Sequence, residues 1–341
     1  MNDHKENNVI SQKALLHSAI NDLMKIAEKL YEDFVHTSIS PTLLSEQLGS
    51  MQDYLLNDNQ SNRIRTGFAD LDRRIGSLAK GEMHICGSPP DMGGTTFLVQ
   101  LALNMIKTEK HILFISPCMT NEAISIRFLG ALTSMRYDQI SAKINDDNLA
   151  KIQDSIHTLH KMPLYIDDST TSIFNLRRKC ENQKLLGQFD VLMIDCLEMI
   201  EGTGNVNREI ELRMICRTLK CLAKEFNICV IVGAKMKLSA DAKNNFYPLI
   251  NDLNSLSAFE HEANKILLLY SAERYRVFKD ERGNHLEDLL EIVIAKNNGG
   301  YLGGIPLRFE GRTMKISSMD DYCVLGEQGE ANSIDQDENP F

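Results

Sequence analysis

The sequence predicts an α/β protein built on a mostly parallel sheet with helices on both faces, preceded by a short helical region. Three observations point there. From about residue 66 onward, short and nearly continuous apolar runs alternate with helical stretches. The loop "SPPDMGGTT", Ser88 to Thr96, lies between one apolar run and the start of a helix. Further on, "VLMIDCLE" sets four apolar residues ahead of Asp195. Strands apolar on both faces and separated by helices belong to parallel sheets covered on both sides.

Composition bounds the reading. The 341 residues suffice for one large domain or two smaller ones, and 43% hydrophobic with 25% charged residues describes an ordinary soluble chain. No apolar run approaches the roughly 18 residues that a membrane span needs. The polar start "MNDHKENNVISQ" lacks the apolar stretch of a secretory signal. The eight cysteines show neither a C-x-x-C pair nor zinc-like spacing. They read as small core residues in a reducing cytoplasm, with no metal.

Taken in order, residues 1–60 read as a helical linker or N-terminal extension. In "ALLHSAINDLMKIAEKLYEDF", Leu16, Ile20, Leu23, Ile26, Ala27 and Leu30 recur at helical spacing. In "SPTLLSEQLGSMQDYLL", Leu44, Leu48, Met51 and Leu55 do the same, with Ser40 as N-cap and Pro41 as the first helical residue. "NDNQSN" is a polar linker. The main domain spans residues 61–316. Its strands are "EMHICG", "HILFIS", "PLYIDD", "FDVLMID", "ICVIVG" and "ANKILLLY". "LEIVIAK" and "IPLRFEG" follow each other without a helix, as at an antiparallel edge. Residues 317–341 hold seven acids and no Lys or Arg, and read as a disordered acidic tail. Taking those seven from the net charge of −10 leaves −3 for the rest, so no basic face announces nucleic acid.

The loop after the first strand matches the phosphate-loop pattern G-x-x-x-x-G-K-[ST] in place and length, but Gly94 stands where the lysine belongs. Backbone N–H groups of such a loop and the following helix N-terminus hold phosphate without any side chain. The expected cradle is Ser88, Gly93, Gly94, Thr95 and Thr96, with the Thr95 hydroxyl and Asp195 directed to Mg²⁺. The two together, in this order, predict a P-loop fold.

The series "RTGFADLDRRIGSLAKGEMHI", "VLMIDCLEMI", "LKCLAKEFNICVIV", "DLNSLSAFEHEAN" and "IAKNNGGYLGGIPLRFEG" resembles the motor domain of DnaB-type replicative helicases. The likeness runs from about residue 20 to 316, and what precedes residue 60 resembles only the family's linker region. It implies a RecA-like fold, ATP bound with Mg²⁺ between subunits, and a hexameric ring acting on DNA. It also shows departures. The phosphate-loop lysine aligns with Gly94 and the water-activating glutamate with Cys118 of "SPCM". The glutamine that senses the terminal phosphate aligns with Lys235 of "AKMK". The trans-acting pair becomes Lys296 and Asn298, so the arginine finger is gone. The DNA-contacting segment becomes "DLNSLS", with Asn254, Ser255 and Ser257 in place of arginine, glutamate and glycine.

General base catalysis is worth about 10²–10⁴ in rate and an arginine finger about 10³–10⁵. The resemblance with these losses implies a replication protein that has lost ATP turnover and works through partners. Those partners are replication proteins or an active helicase, in a homo- or hetero-oligomeric ring, with weak single-stranded DNA binding and no membrane. The alternative is an ATP-dependent helicase with atypical residues, in which Lys235 supplies the missing charge from another strand. The end, "SIDQDENPF", resembles the C-terminal tip of bacterial single-stranded-DNA-binding proteins, and makes Pro340 and Phe341 candidate partner anchors.

Overall fold

The computed structural model describes residues 44, 48, 63–141, 146–187, 189–202, 204, 207–237, 246–253, 259–280, 282–298 and 300–319. The chain divides into two units, residues 1–59 and 60–341. Of the first unit, only Leu44 and Leu48 are described; both are helical and exposed.

The second unit opens on two short strands, β1 (Arg63–Ile64) and β2 (Leu78–Ala79), which pair antiparallel. A nine-stranded sheet follows. Its parallel part comprises β3 (Met83–Ser88), β4 (Ile112–Ile115), β5 (Leu164–Asp167), β6 (Val191–Ile194), β7 (Cys229–Lys235) and β8 (Lys265–Tyr270). Its antiparallel edge is β9 (Leu289–Asn297), β10 (Gly303–Glu310) and β11 (Lys315–Ser318). The spatial order is β11-β10-β9-β8-β3-β7-β6-β4-β5.

Every residue of β4, β6 and β8 is buried, as strands covered on both faces must be. Successive side chains serve opposite cores. Leu113 and Ile115 join one cluster with Leu212, Leu219 and Leu222. Ile112 and Phe114 join the other, with Phe97, Leu101 and Phe128.

Helices supply the outer layers. α1 (Ala69–Ile75) lies between β1 and β2. Phe68, ahead of α1, stacks on Phe97 with ring centres 5.8 Å apart, which fastens the entry segment to the next helix. That helix, α2 (Gly94–Ile106), is buried from Thr96 to Leu103. A helix enclosed all round cannot shift, so the loop feeding it is held fixed. α3 (Asn121–Thr133) starts at Thr120, whose hydroxyl accepts the Ala123 N–H at 3.3 Å. Then come α4 (Tyr137–Ser141), α5 (Asp146–His160), α6 (Ile173–Leu186) and α7 (Arg208–Glu225). α7 buries Leu212, Ile215, Leu219 and Leu222, each worth about 1.5–3 kcal/mol of apolar transfer.

The antiparallel edge is one strand larger than the apolar runs suggest. β11 is four residues of alternating burial, too short and polar to stand out in the sequence. It carries the sheet through Ser318, two residues past the 316 at which the main domain is read to end. Among the described residues no helix is long and apolar enough to cross a membrane.

Candidate functional site

The site forms where β3, β4, β6 and β7 end on one side of the sheet, the position at which open parallel sheets bind ligands. Pro89 and Pro90 lead out of β3, and Asp91 takes a left-handed conformation with φ +59°. Gly93, the N-cap of α2, has φ +86°, a conformation that favours glycine, and lacks a side chain to cap the first N–H groups. Those donors and the helix dipole favour an anion at this end.

Gly94 is held by its neighbour. A Cβ built there would lie 2.2 Å from Ser88 Oγ and 3.1 Å from Ser88 Cβ. A lysine at residue 94 therefore needs Ser88 to move, and Ser88 fills the space beside the glycine. Ser88 also pairs with Lys235 across β3 and β7, and its carbonyl accepts the Met236 N–H at 3.1 Å. This pairing puts Lys235 next to the loop.

Thr95 and Asp195 meet directly. The Thr95 hydroxyl donates to Asp195 Oδ2 at 2.7 Å, and the Asp195 N–H donates to the Ile115 carbonyl at 2.8 Å. The Asp195 side chain is buried, which raises its pKa above the usual carboxylate range. The Thr95 bond and the charges of Arg127 and Lys235 offset only part of that, while Glu198 adds to it. A buried carboxylate with so little compensation is suited to a cation.

Cys118 follows β4, is exposed, and places its sulfur 3.3 Å from the sulfur of buried Cys196. Lys235 is exposed at the end of β7, and its N–H donates to Glu198 Oε1 at 2.7 Å. Ser88, Gly94, Thr95, Cys118, Asp195 and Lys235 line one cavity of about 300 Å³. Thr96 is buried within α2. Among the described residues no three His, Cys, Asp or Glu side chains group as metal ligands.

Two other positions lie apart from this cavity. Lys296 sits on β9 opposite Ile266, and its ammonium donates to the carbonyls of Glu260 and Ala263, the latter at 2.7 Å. Asn298 is exposed just beyond that strand. Asn254, Ser255, Ser257, Pro340 and Phe341 lie outside the described residues.

Reading the residues alone passed over Cys196, Glu198 and Arg127. The first two stand inside the "DCLE" that carries Asp195, so only their contacts were hidden. Arg127 lies among apolar residues of α3, and its reach to Asp195 depends on how that helix packs.

Residues 63–318 match the DnaB-like helicase C terminal domain family. The chain is 30% identical over 320 residues to the replicative DNA helicase DnaB of Buchnera aphidicola subsp. Schizaphis graminum, covering 91% of this chain and 66% of that protein. It is 27% identical over 257 residues to the DnaB of Geobacillus stearothermophilus, covering 74% of this chain and 56% of the relative. The chain thus spans about two thirds or less of the length of these two relatives. Among solved structures it resembles a free-standing ATPase domain, with a TM-score of 0.74 and 21% identity, covering 82% of this chain and 100% of that one. A DnaB-like replicative helicase studied for its interactions with primase gives a TM-score of 0.71 and 20% identity, covering 92% of this chain and 76% of that one. The fold is therefore that of a RecA-like ATPase domain, and the chain belongs to the DnaB-like helicase family.

Proposed function

We propose that this chain is a DnaB-like homologue that acts in DNA replication as a regulatory or interaction protein, binding nucleotide without turning it over. The observation that carries this reading is the thiol contact at the cavity rim. Cys118, which the family resemblance aligns with the water-activating glutamate, faces Cys196 at 3.3 Å. A thiol in contact with another thiol is a poor base for water at neutral pH, and burial pushes its partner's pKa higher still. With a base worth about 10²–10⁴ and a finger worth about 10³–10⁵ both replaced, hydrolysis falls to background.

The remaining residues fit ATP with Mg²⁺. Thr95 and Asp195 are the residues that would hold the metal, and the first N–H groups of α2 would hold phosphate oxygens. Bound nucleotide supplies the negative charge that Asp195 and the loop leave uncompensated for Mg²⁺ and Lys235. Lys235, beside Ser88 in register, takes over the charge missing at Gly94. Such a protein works in the cytoplasm through replication proteins or an active helicase, in a homo- or hetero-oligomeric ring. Its contact with single-stranded DNA is weak, and the acidic tail ending in Pro340 and Phe341 offers a second partner contact.

A second reading, an ATP-dependent helicase with atypical residues, draws on the intact Thr95–Asp195 pair and on Glu198 near it. Calorimetric titration with ATP and Mg²⁺ tests the proposal on the chain and on Lys235→Ala. The expected result is binding that weakens about tenfold in the variant, the scale of one charged hydrogen bond. Equal affinity in both overturns the lysine's role.

A further inference from the structure

The sulfur contact has a chemistry of its own, independent of whether nucleotide binds. Cys118 and Cys196 stand just past β4 and β6, adjacent strands joined at Ile115 and Ile194. Their sulfurs lie 3.3 Å apart, and a disulfide bond is about 2.0 Å, so side-chain rotation and a small strand-end shift can close the gap. Their accessibility differs in a useful way: Cys118 is exposed and Cys196 is 5% exposed. Elsewhere among the described residues, Cys86, Cys180, Cys216 and Cys229 are buried in the core, and Cys221 is exposed on α7.

We propose that Cys118 and Cys196 form a redox-active dithiol site that low-molecular-weight disulfides, of the oxidised-glutathione class, convert to an intramolecular disulfide. In the first step the Cys118 thiol gives its proton to water, and the thiolate attacks one sulfur of the small disulfide. A mixed disulfide forms and one small thiol leaves. Cys196 then loses its proton, attacks the Cys118 sulfur and expels the second small thiol. Two protein thiols are oxidised by two electrons, and one small disulfide is reduced to two thiols.

The environment assigns the order of the two cysteines. Burial, the Glu198 charge and the Cys118 contact hold the Cys196 thiol well above its ordinary range, which suits it to the second, resolving step. That step accelerates as pH rises. The other buried thiols lack both access and a sulfur at this distance; burial pushes Cys86, Cys180 and Cys216 up to about 12. The product ties β4 to β6 across the rim of the Thr95–Asp195 cavity.

The full chain is equilibrated with glutathione buffers from reducing to oxidising, alkylated, and mapped by peptide mass. The expected product links the Cys118 and Cys196 peptides with loss of two hydrogens, and dithiothreitol reverses it. In Cys196→Ser, Cys118 stops as a mixed disulfide carrying one glutathione. In Cys118→Ser, Cys196 stays unmodified while Cys221 still takes up glutathione. Wild-type Cys118 that remains free, keeps its glutathione, or links to another cysteine where Cys221 reacts would overturn the proposal.

Discussion

Asp195 and Asp167 are two aspartates at the carboxyl ends of parallel strands, on either side of β4, and the protein treats them in opposite ways. Both lose water on folding. Around Asp167, burial pushes the carboxyl up, but donors outweigh it. The Lys179 ammonium, the Ser169 hydroxyl and N–H at 2.7 and 3.0 Å, and the Thr170 hydroxyl hold it well below the usual carboxylate range. Around Asp195 the order is reversed. Burial dominates, a single hydroxyl donates at 2.7 Å, and the carboxyl stays raised. A carboxylate satisfied from all sides is a strut between β5 and α6. One left short of positive charge beside a phosphate loop is kept for something that arrives.

The largest effect sharpens that contrast directly. Asp195→Ala is expected to lower the affinity for ATP with Mg²⁺ by about 100-fold, the upper range for residues that orient a metal. Magnesium-dependent titration reads it, and unchanged affinity removes Asp195 from the site.

Stability separates the two aspartates by sign. Asp167 has a depressed pKa when folded, so its contribution is present above the unfolded value and is lost as pH falls through the folded one. Asp167→Asn should cost about 2 kcal/mol at neutral pH, the scale of hydrogen bonds to a charged group. The difference from wild type should shrink below the ordinary carboxylate range. Asp195 has a raised pKa, so its charge counts against the folded state above that value. Asp195→Asn should leave the melting temperature equal or higher without nucleotide. Loss of stability in both variants would erase the distinction.

A smaller effect probes the loop. Gly94→Lys alone meets the Ser88 side chain and should gain no nucleotide affinity. The paired change Ser88→Ala with Gly94→Lys should gain about tenfold, one charged contact. Equal gains from the single and paired variants would show that Ser88 does not guard the position.

Much of this was legible in the sequence, for a physical reason. The parallel strands are apolar on both faces, so runs such as "VLMI" and "KILLLY" declare themselves, and the loop and Asp195 follow at their ends. The hidden parts depend on register. The Cys118–Cys196 contact joins residues 78 positions apart, and its sulfurs meet only because β4 lies next to β6. The fit of Ser88 against Gly94 is a matter of one atom's position inside the loop. Lys296 looked like a residue offered to a neighbour, yet in this fold its ammonium is engaged by the Glu260 and Ala263 carbonyls. β11 escaped notice because four residues of alternating burial carry little apolar signal.

The central claim is that the cation side of this cavity persists while the hydrolytic side does not. Phosphate release from ATP by the purified chain, with Mg²⁺ and single-stranded DNA, tests it most directly against Asp195→Ala under the same conditions. The account predicts two traces that coincide with background. Turnover on the order of one per second, the low end for phosphoryl-transfer enzymes, in the chain but not in the variant would contradict it.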